Sequence, residues 1–249
     1  MDIKTDKDGR ITYQKENDGS ATGYKYAENG DMIEETSYSP EGEVAEVLKC
    51  AYNELGDMTE EMYYDKDGQL KNGFAYSYDE DGNMIREEHL GSKGEKLGAI
   101  EFSYNSFGDV TTKLEHEGDS LASKTEYKYN DDGDLLSERT FSKDNCLAYE
   151  ICYSYDEDGR LTEEKKLDGK GELISRAVME YNHHGEIASS FFENKKEGIS
   201  QEKSFSYDQH GNLNIIEEKG KDGKTKRLEL ISYDEDGNEL SSSFFVPEN

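Results

Sequence analysis

Five histidines (His89, His116, His183, His184, His210) and three cysteines (Cys50, Cys146, Cys152) are the side chains best suited to metal ligation or nucleophilic chemistry. His184 and His210 stand 26 residues apart. If that spacing is a structural period, two neighbouring turns could clasp a transition metal, with His183 beside them. No cysteine and no orienting partner accompanies them, so His183, His184 and His210 are weak metal candidates. The plainer reading is three turn residues. The cysteines are too few and too irregular for a disulfide framework, and no C-x-x-C pair occurs. Cys50 falls in an apolar column and reads as core. Cys152 falls between such columns, and no histidine stands near it in sequence or column to activate a thiolate.

Carboxylates are abundant, 58 against 29 basic residues, for a formal charge of -29. No pair among them stands out for acid–base work. The D-E-D-G tetrads beginning at Asp79, Asp156 and Asp234 superficially resemble calcium loops but lack the distal bidentate Glu. Asp81, Asp132, Asp158 and Asp236 read as turn formers and solubilising charge. There is no G-x-S-x-G, no G-x-x-x-x-G-K-[ST] and no H-E-x-x-H. The expectation is no catalytic residue, no cofactor and no enzyme. Charge also sorts the partners. Nucleic acid and anionic membranes need a basic footprint that is missing, whereas a basic protein would be attracted.

The elements that must position these residues are repeats. Tyr26, Tyr52, Tyr78, Tyr104, Tyr129, Tyr155, Tyr181, Tyr207 and Tyr233 recur every 26 residues, with one step of 25 between Tyr104 and Tyr129. Four residues after each stands a glycine: Gly30, Gly56, Gly82, Gly108, Gly133, Gly159, Gly185, Gly211 and Gly237. Asp or Asn follows the Tyr in every unit but one, where Ala27 stands. An Asx residue suits the first position of a type I turn, and Gly suits the left-handed position of a G1 bulge. That turn should set each Tyr opposite the apolar residue two after the Gly, such as Met58 or Leu161. The strand entering the Tyr alternates apolar and polar, as in Tyr76-Ser77-Tyr78, which marks a strand with one buried face. The Tyr rings therefore read as core and not as a sugar-stacking platform.

A second turn recurs sixteen residues after the Tyr, at Gly42, Gly68, Gly94, Gly171 and Gly223, with Asn145 in the same column. Each unit is thus two strands and two turns. The 25-residue unit has lost its residue near Gly118, and the seventh unit blurs its second turn at Glu197 and Gly198. A shorter first copy covers 5–25, and an incomplete last one covers 233–249. Between them stand full units starting at Tyr26, Tyr52, Tyr78, Tyr104, Tyr129, Tyr155, Tyr181 and Tyr207. No linker or composition shift interrupts 1–249, so one all-β domain is expected. It should be a run of tandem antiparallel β-hairpins in one long, twisted or partly coiled meander of roughly eighteen to twenty strands.

The segments Y-D-E-D-G-N (Tyr78–Asn83, Tyr233–Asn238), Y-D-E-D-G-R-L (Tyr155–Leu161) and D-K-D-G-R-I (Asp6–Ile11) resemble the signature of the YD-repeat, or RHS-repeat, family. The resemblance runs from about Thr5 to Leu240. It implies a β-hairpin strip of the kind that coils into shells in bacterial RHS proteins, insecticidal toxin complexes and animal teneurins. The unit here is longer than that family's usual one, implying a wider strip.

The expected function is non-enzymatic, a protein-binding or scaffolding surface. Two alternatives are an acidic immunity or antitoxin-like protein that neutralises a basic toxin, and a secreted or cell-surface adhesin module binding glycans. With no apolar leader in M-D-I-K-T-D-K-D-G-R and no membrane-length apolar stretch, the chain as written suits the cytoplasm. A mature form or fragment would suit a secreted or surface location.

Overall fold

The computed structural model describes residues 2–220 and 222–246. Pro247, where the sequence expects the last strand to end, lies outside them. Every regular element among the described residues is a β-strand, and none is a helix long and apolar enough to cross a membrane. Contacts group the chain into two compact units, 1–124 and 125–249.

The first unit holds β1 (Asp2–Thr5), β2 (Ile11–Lys15), β3 (Ala21–Tyr26), β4 (Met32–Tyr38), β5 (Val44–Tyr52), β6 (Met58–Asp65), β7 (Leu70–Tyr78), β8 (Met84–Leu90), β9 (Lys96–Tyr104) and β10 (Val110–Glu117). Each pairs antiparallel with the next. The division between units falls within β11 (Ser120–Tyr129). The second unit continues with β12 (Leu135–Ser142), β13 (Leu147–Tyr155), β14 (Leu161–Asp168), β15 (Leu173–Tyr181), β16 (Ile187–Asn194), β17 (Ile199–Tyr207), β18 (Leu213–Lys219), β19 (Thr225–Tyr233) and β20 (Glu239–Phe245). From β12 onward, neighbours again pair antiparallel in chain order. The all-β hairpin class and the strand count follow the sequence expectation.

The turns form as their residues require. In the Tyr78 unit, Gly82 N–H donates to Asp79 O and Asp79 N–H to Asn83 O. Asp79 Oδ1 accepts from the backbone of Asp81 and Asn83, which ties the loop internally. Gly82 sits at φ 83°, in the left-handed region where a Cβ is costly. The bulge shifts the register between Ser77 and Tyr78 and sets Tyr78 opposite Met84. The same offset faces Tyr52 with Met58 and Tyr155 with Leu161. In the second turns Asn145 does the work of glycine at φ 57°, which Asn tolerates better than other side chains. The short unit closes β10 to β11 with only Gly118 and Asp119, which is where its residue is lost.

The buried face is thinner than the alternation suggests. Apart from the glycines Gly73, Gly91 and Gly98, only Ala21, Cys50, Ala99 and Thr125 are buried among the described residues. The Tyr column and the column two before it are otherwise half-buried, while Lys25, Ser77, Ser103, Lys128 and Ser154 between them are exposed. The face is right; its depth is not. A sheet face bearing so many Glu and Lys carries a single layer of side chains, so each ring keeps one side near solvent.

Candidate functional site

The Tyr hydroxyls do something the pattern does not announce. Eight of them reach back to the strand before their own and donate to the carbonyl of that strand's first residue. The pairs are Tyr52 to Met32, Tyr78 to Met58, Tyr104 to Met84, Tyr155 to Leu135, Tyr181 to Leu161, Tyr207 to Ile187 and Tyr233 to Leu213, at 2.6–2.9 Å. Tyr26 does the same to Ile11. The reason lies in the ladders. Pairing of β4 with β5 begins only at Glu34 and Lys49, two residues beyond Met32. Strands splay at the first-turn edge, and the phenol closes the gap.

The splay leaves a cleft between consecutive first turns, floored by a Tyr. Its contents depend on the residue just after the preceding Gly. Where that residue is arginine, the cleft is filled. Arg10 lies over the Tyr26 ring and Arg160 over the Tyr181 ring, each guanidinium 4.8 Å from the ring centre. Arg160 is held there by Asp156 at 2.8 Å and Asp158 at 2.8 Å. Gly185 gives it room, since a Cβ at that position would come within 3.2 Å of Arg160 Nη1. Elsewhere the same position carries an acid or Asn, and at Tyr155 and Tyr207 the cleft is open. One open cleft is lined by Asp132, Asp134, Tyr155 and Glu157. Another is lined by Glu186, Phe205, Tyr207 and Asp208, with His183, His184 and His210 at its rim. The nearby carboxylates act on the phenols: burial first, then the charge of Asp134 raises the Tyr155 pKa, and Glu186 does likewise for Tyr207.

The three weak metal candidates therefore meet at one cleft. His183 and His184 rings lie 3.8 Å apart, but His210 is taken up with Gln209 at 3.1 Å. Among the described residues no three His, Cys, Asp or Glu side chains assemble at metal-holding spacing. Asp81, Asp158 and Asp236 sit in their turns, each backbone N–H bonded to the turn's first Asp, and Asp132 likewise to Asn130.

A second cluster, missed by sequence, lies on the apolar face of the first unit. Cys50, Glu61, Phe74 and His89 form one cross-strand row. Glu61 accepts from Tyr63 at 2.6 Å and Tyr76 at 3.1 Å. His89 Nε2 contacts Glu87 at 2.6 Å and packs edge-on against Phe74. The Glu61 bond pushes Tyr63 up to about 12; burial, then the Glu61 charge, raises Tyr76 as well. Burial and Glu61 also push the Cys50 thiol up, and burial with Glu150 does the same for Cys152. Both sulfurs are held as thiols, the form least suited to nucleophilic attack. Only the period-26 recurrence of Glu35, Glu61 and Glu87 beside apolar positions could have pointed to this row.

No curated protein matches the chain in sequence. Among solved structures, it is similar to TcdB2-TccC3 at 14% identity and a TM-score of 0.34, over 85% of this chain and 15% of that one. A Photorhabdus luminescens Tc holotoxin pore gives 13% and 0.35, over 88% of this chain and 14% of that one. A porin-like protein from Bacteroides uniformis gives 9% and 0.34, over 92% and 90%. The chain thus spans about one seventh of the toxin-complex chains it resembles. A family model described as "Uncharacterised protein" matches residues 112–242, more than half of the sequence, and the chain belongs to that family.

Proposed function

We propose that this is a non-enzymatic repeat protein of YD type that offers its first-turn edge as a protein-binding surface. The observation that carries the reading is the pair of open, tyrosine-floored, acid-walled clefts at Tyr155 and Tyr207, set on an edge of regularly repeated bulged turns. Repetition presents the same chemistry at regular steps, which suits an extended partner. The non-enzymatic reading is supported by the raised Cys50 and Cys152 thiols and by Glu61, which is occupied by two phenols. The net charge of -29 favours a basic partner, and the immunity or antitoxin reading is one form of that partnership. Glycan binding draws less support, because the Tyr hydroxyls that would meet sugar are engaged with backbone carbonyls. Affinity capture from the native cell, analysed by mass spectrometry at low and high salt, tests the proposal. One basic protein recovered at low salt and lost at high salt supports it; no specific protein at either salt overturns it.

A further inference from the structure

The chain contains its own demonstration of what its clefts accept. In the cleft above Tyr181 a guanidinium lies over the ring, 4.8 Å from its centre, between Asp156 and Asp158 and against the turn glycine Gly185. Arg10 occupies the Tyr26 cleft in the same way, held by Asp6 at 2.7 Å. The aromatic face, the carboxylates and the bare glycine together make a site for a flat cation. The clefts at Tyr155 and Tyr207 keep the ring and the glycine, carry Asn130 and Asn182 in the column of Asp156, and set acids of their own, Asp134 and Glu186, where Arg would stand. They are open volumes of about 530 and 580 Å³, roomy enough for an arginine side chain to enter from outside.

We propose that the open clefts at Tyr155 and Tyr207 bind arginine side chains of a basic protein partner, each guanidinium taking over its ring the place that Arg160 takes over Tyr181. The inference rests on the protein-binding reading above and names its chemistry. Arginine is favoured over lysine because a planar guanidinium can stack on the ring while its N–H groups reach carboxylates at the edge. At the Tyr155 cleft those acids are Asp132, Asp134 and Glu157, with Asp156 already paired to Arg160. At Tyr207 they are Glu186 and Asp208.

The test fills the clefts with the chain's own chemistry. Asn130→Asp with Asp134→Arg, and Asn182→Asp with Glu186→Arg, reproduce the Asp156–Arg160 pair beside each open ring. The full chain is titrated calorimetrically with an oligoarginine peptide and the matched oligolysine. The expected result is tighter binding of oligoarginine, weakened about threefold to tenfold for each cleft filled. Asp119→Arg, at an exposed second loop, makes the same net charge change as both fillings together and should leave binding nearly unchanged. Arg160→Asn opens the Tyr181 cleft and should strengthen binding, which keeps the test decisive should a filled variant fold poorly. Equal affinity for the two peptides, or filled variants no weaker than Asp119→Arg, overturns the proposal. A captured native partner indifferent to filling would also overturn it while leaving the surface reading intact. Cleft-specific oligoarginine binding with no native partner would uphold the site and sink that reading instead.

Discussion

The hydroxyl of Tyr78 lies 2.7 Å from the carbonyl oxygen of Met58, twenty residues earlier and one strand back. That bond joins two hairpins where their ladder has opened, and its equivalent is made by Tyr26, Tyr52, Tyr104, Tyr155, Tyr181, Tyr207 and Tyr233.

Tyr78→Phe should destabilise the protein by about 1–2 kcal/mol, the cost of leaving a half-buried carbonyl without its donor. The ring stays, so packing is retained. Ser77→Ala, on the exposed side of the same strand, should change stability little. Urea denaturation of the two variants against the parent checks the contrast.

Gly82→Ala should cost about 1–2 kcal/mol from backbone strain alone, because φ is 83° and a Cβ there would meet nothing within 4 Å. Asn145→Gly should move stability by less than about 0.5 kcal/mol, since Asn already tolerates φ 57°. Thermal melts of both variants decide whether backbone conformation or contacts govern these turns.

The turn aspartates make the fold acid-sensitive. Hydrogen bonds from Asn83 hold Asp79 below the usual carboxylate range, those from the Glu172 and Lys170 backbones do so for Asp168, and those from Asn212 for Asp208. A carboxyl lowered in the folded state lends stability that is present above its unfolded pKa and disappears as pH falls through the folded one. The denaturation midpoint should therefore hold near neutrality and drop below about pH 4. Asp79→Asn with Asp168→Asn should flatten that drop; an unchanged slope would refute the assignment.

Tyr63 and Tyr76 share Glu61 and, together with Tyr153 on Glu138, should ionise last among the tyrosines in an alkaline titration followed by phenolate absorbance, Tyr63 near pH 12. Their raised values favour the folded state below the unfolded tyrosine pKa of about 10, and that contribution fades as pH climbs through the folded values. Glu61→Gln should bring Tyr63 and Tyr76 back toward ordinary tyrosine; a variant titrating like the parent would show that Glu61 is not the cause.

How far the sequence could be read depends on the range of each interaction. Turn residues act within five positions, so Asp79, Gly82 and the register of Tyr78 with Met84 were legible from spacing alone. The face of each strand followed from alternation. The link from Tyr78 to Met58 was not, because it depends on two ladders parting at one edge, a geometry without a local signature. The Arg160–Tyr181 stack was hidden for a different reason: arginine stands in its column only twice, at Arg10 and Arg160, and reads there as ordinary turn charge. Half-burial of the rings was misjudged because alternation reports which way a side chain points, not how much lies above it.

The backward reach of each tyrosine also bears on how such a gene can change length. A whole copy removed between Tyr155 and Tyr181 would present Tyr181 with Leu135 in place of Leu161, an equivalent acceptor, and the seam would heal. A deletion of any other size would leave one phenol facing the wrong backbone atom. Selection on this array should therefore tolerate duplication or loss in whole 26-residue steps and reject most partial ones. The short loop at Gly118–Asp119 marks the kind of place, away from the tyrosine edge, where a single residue can go missing without disturbing the count.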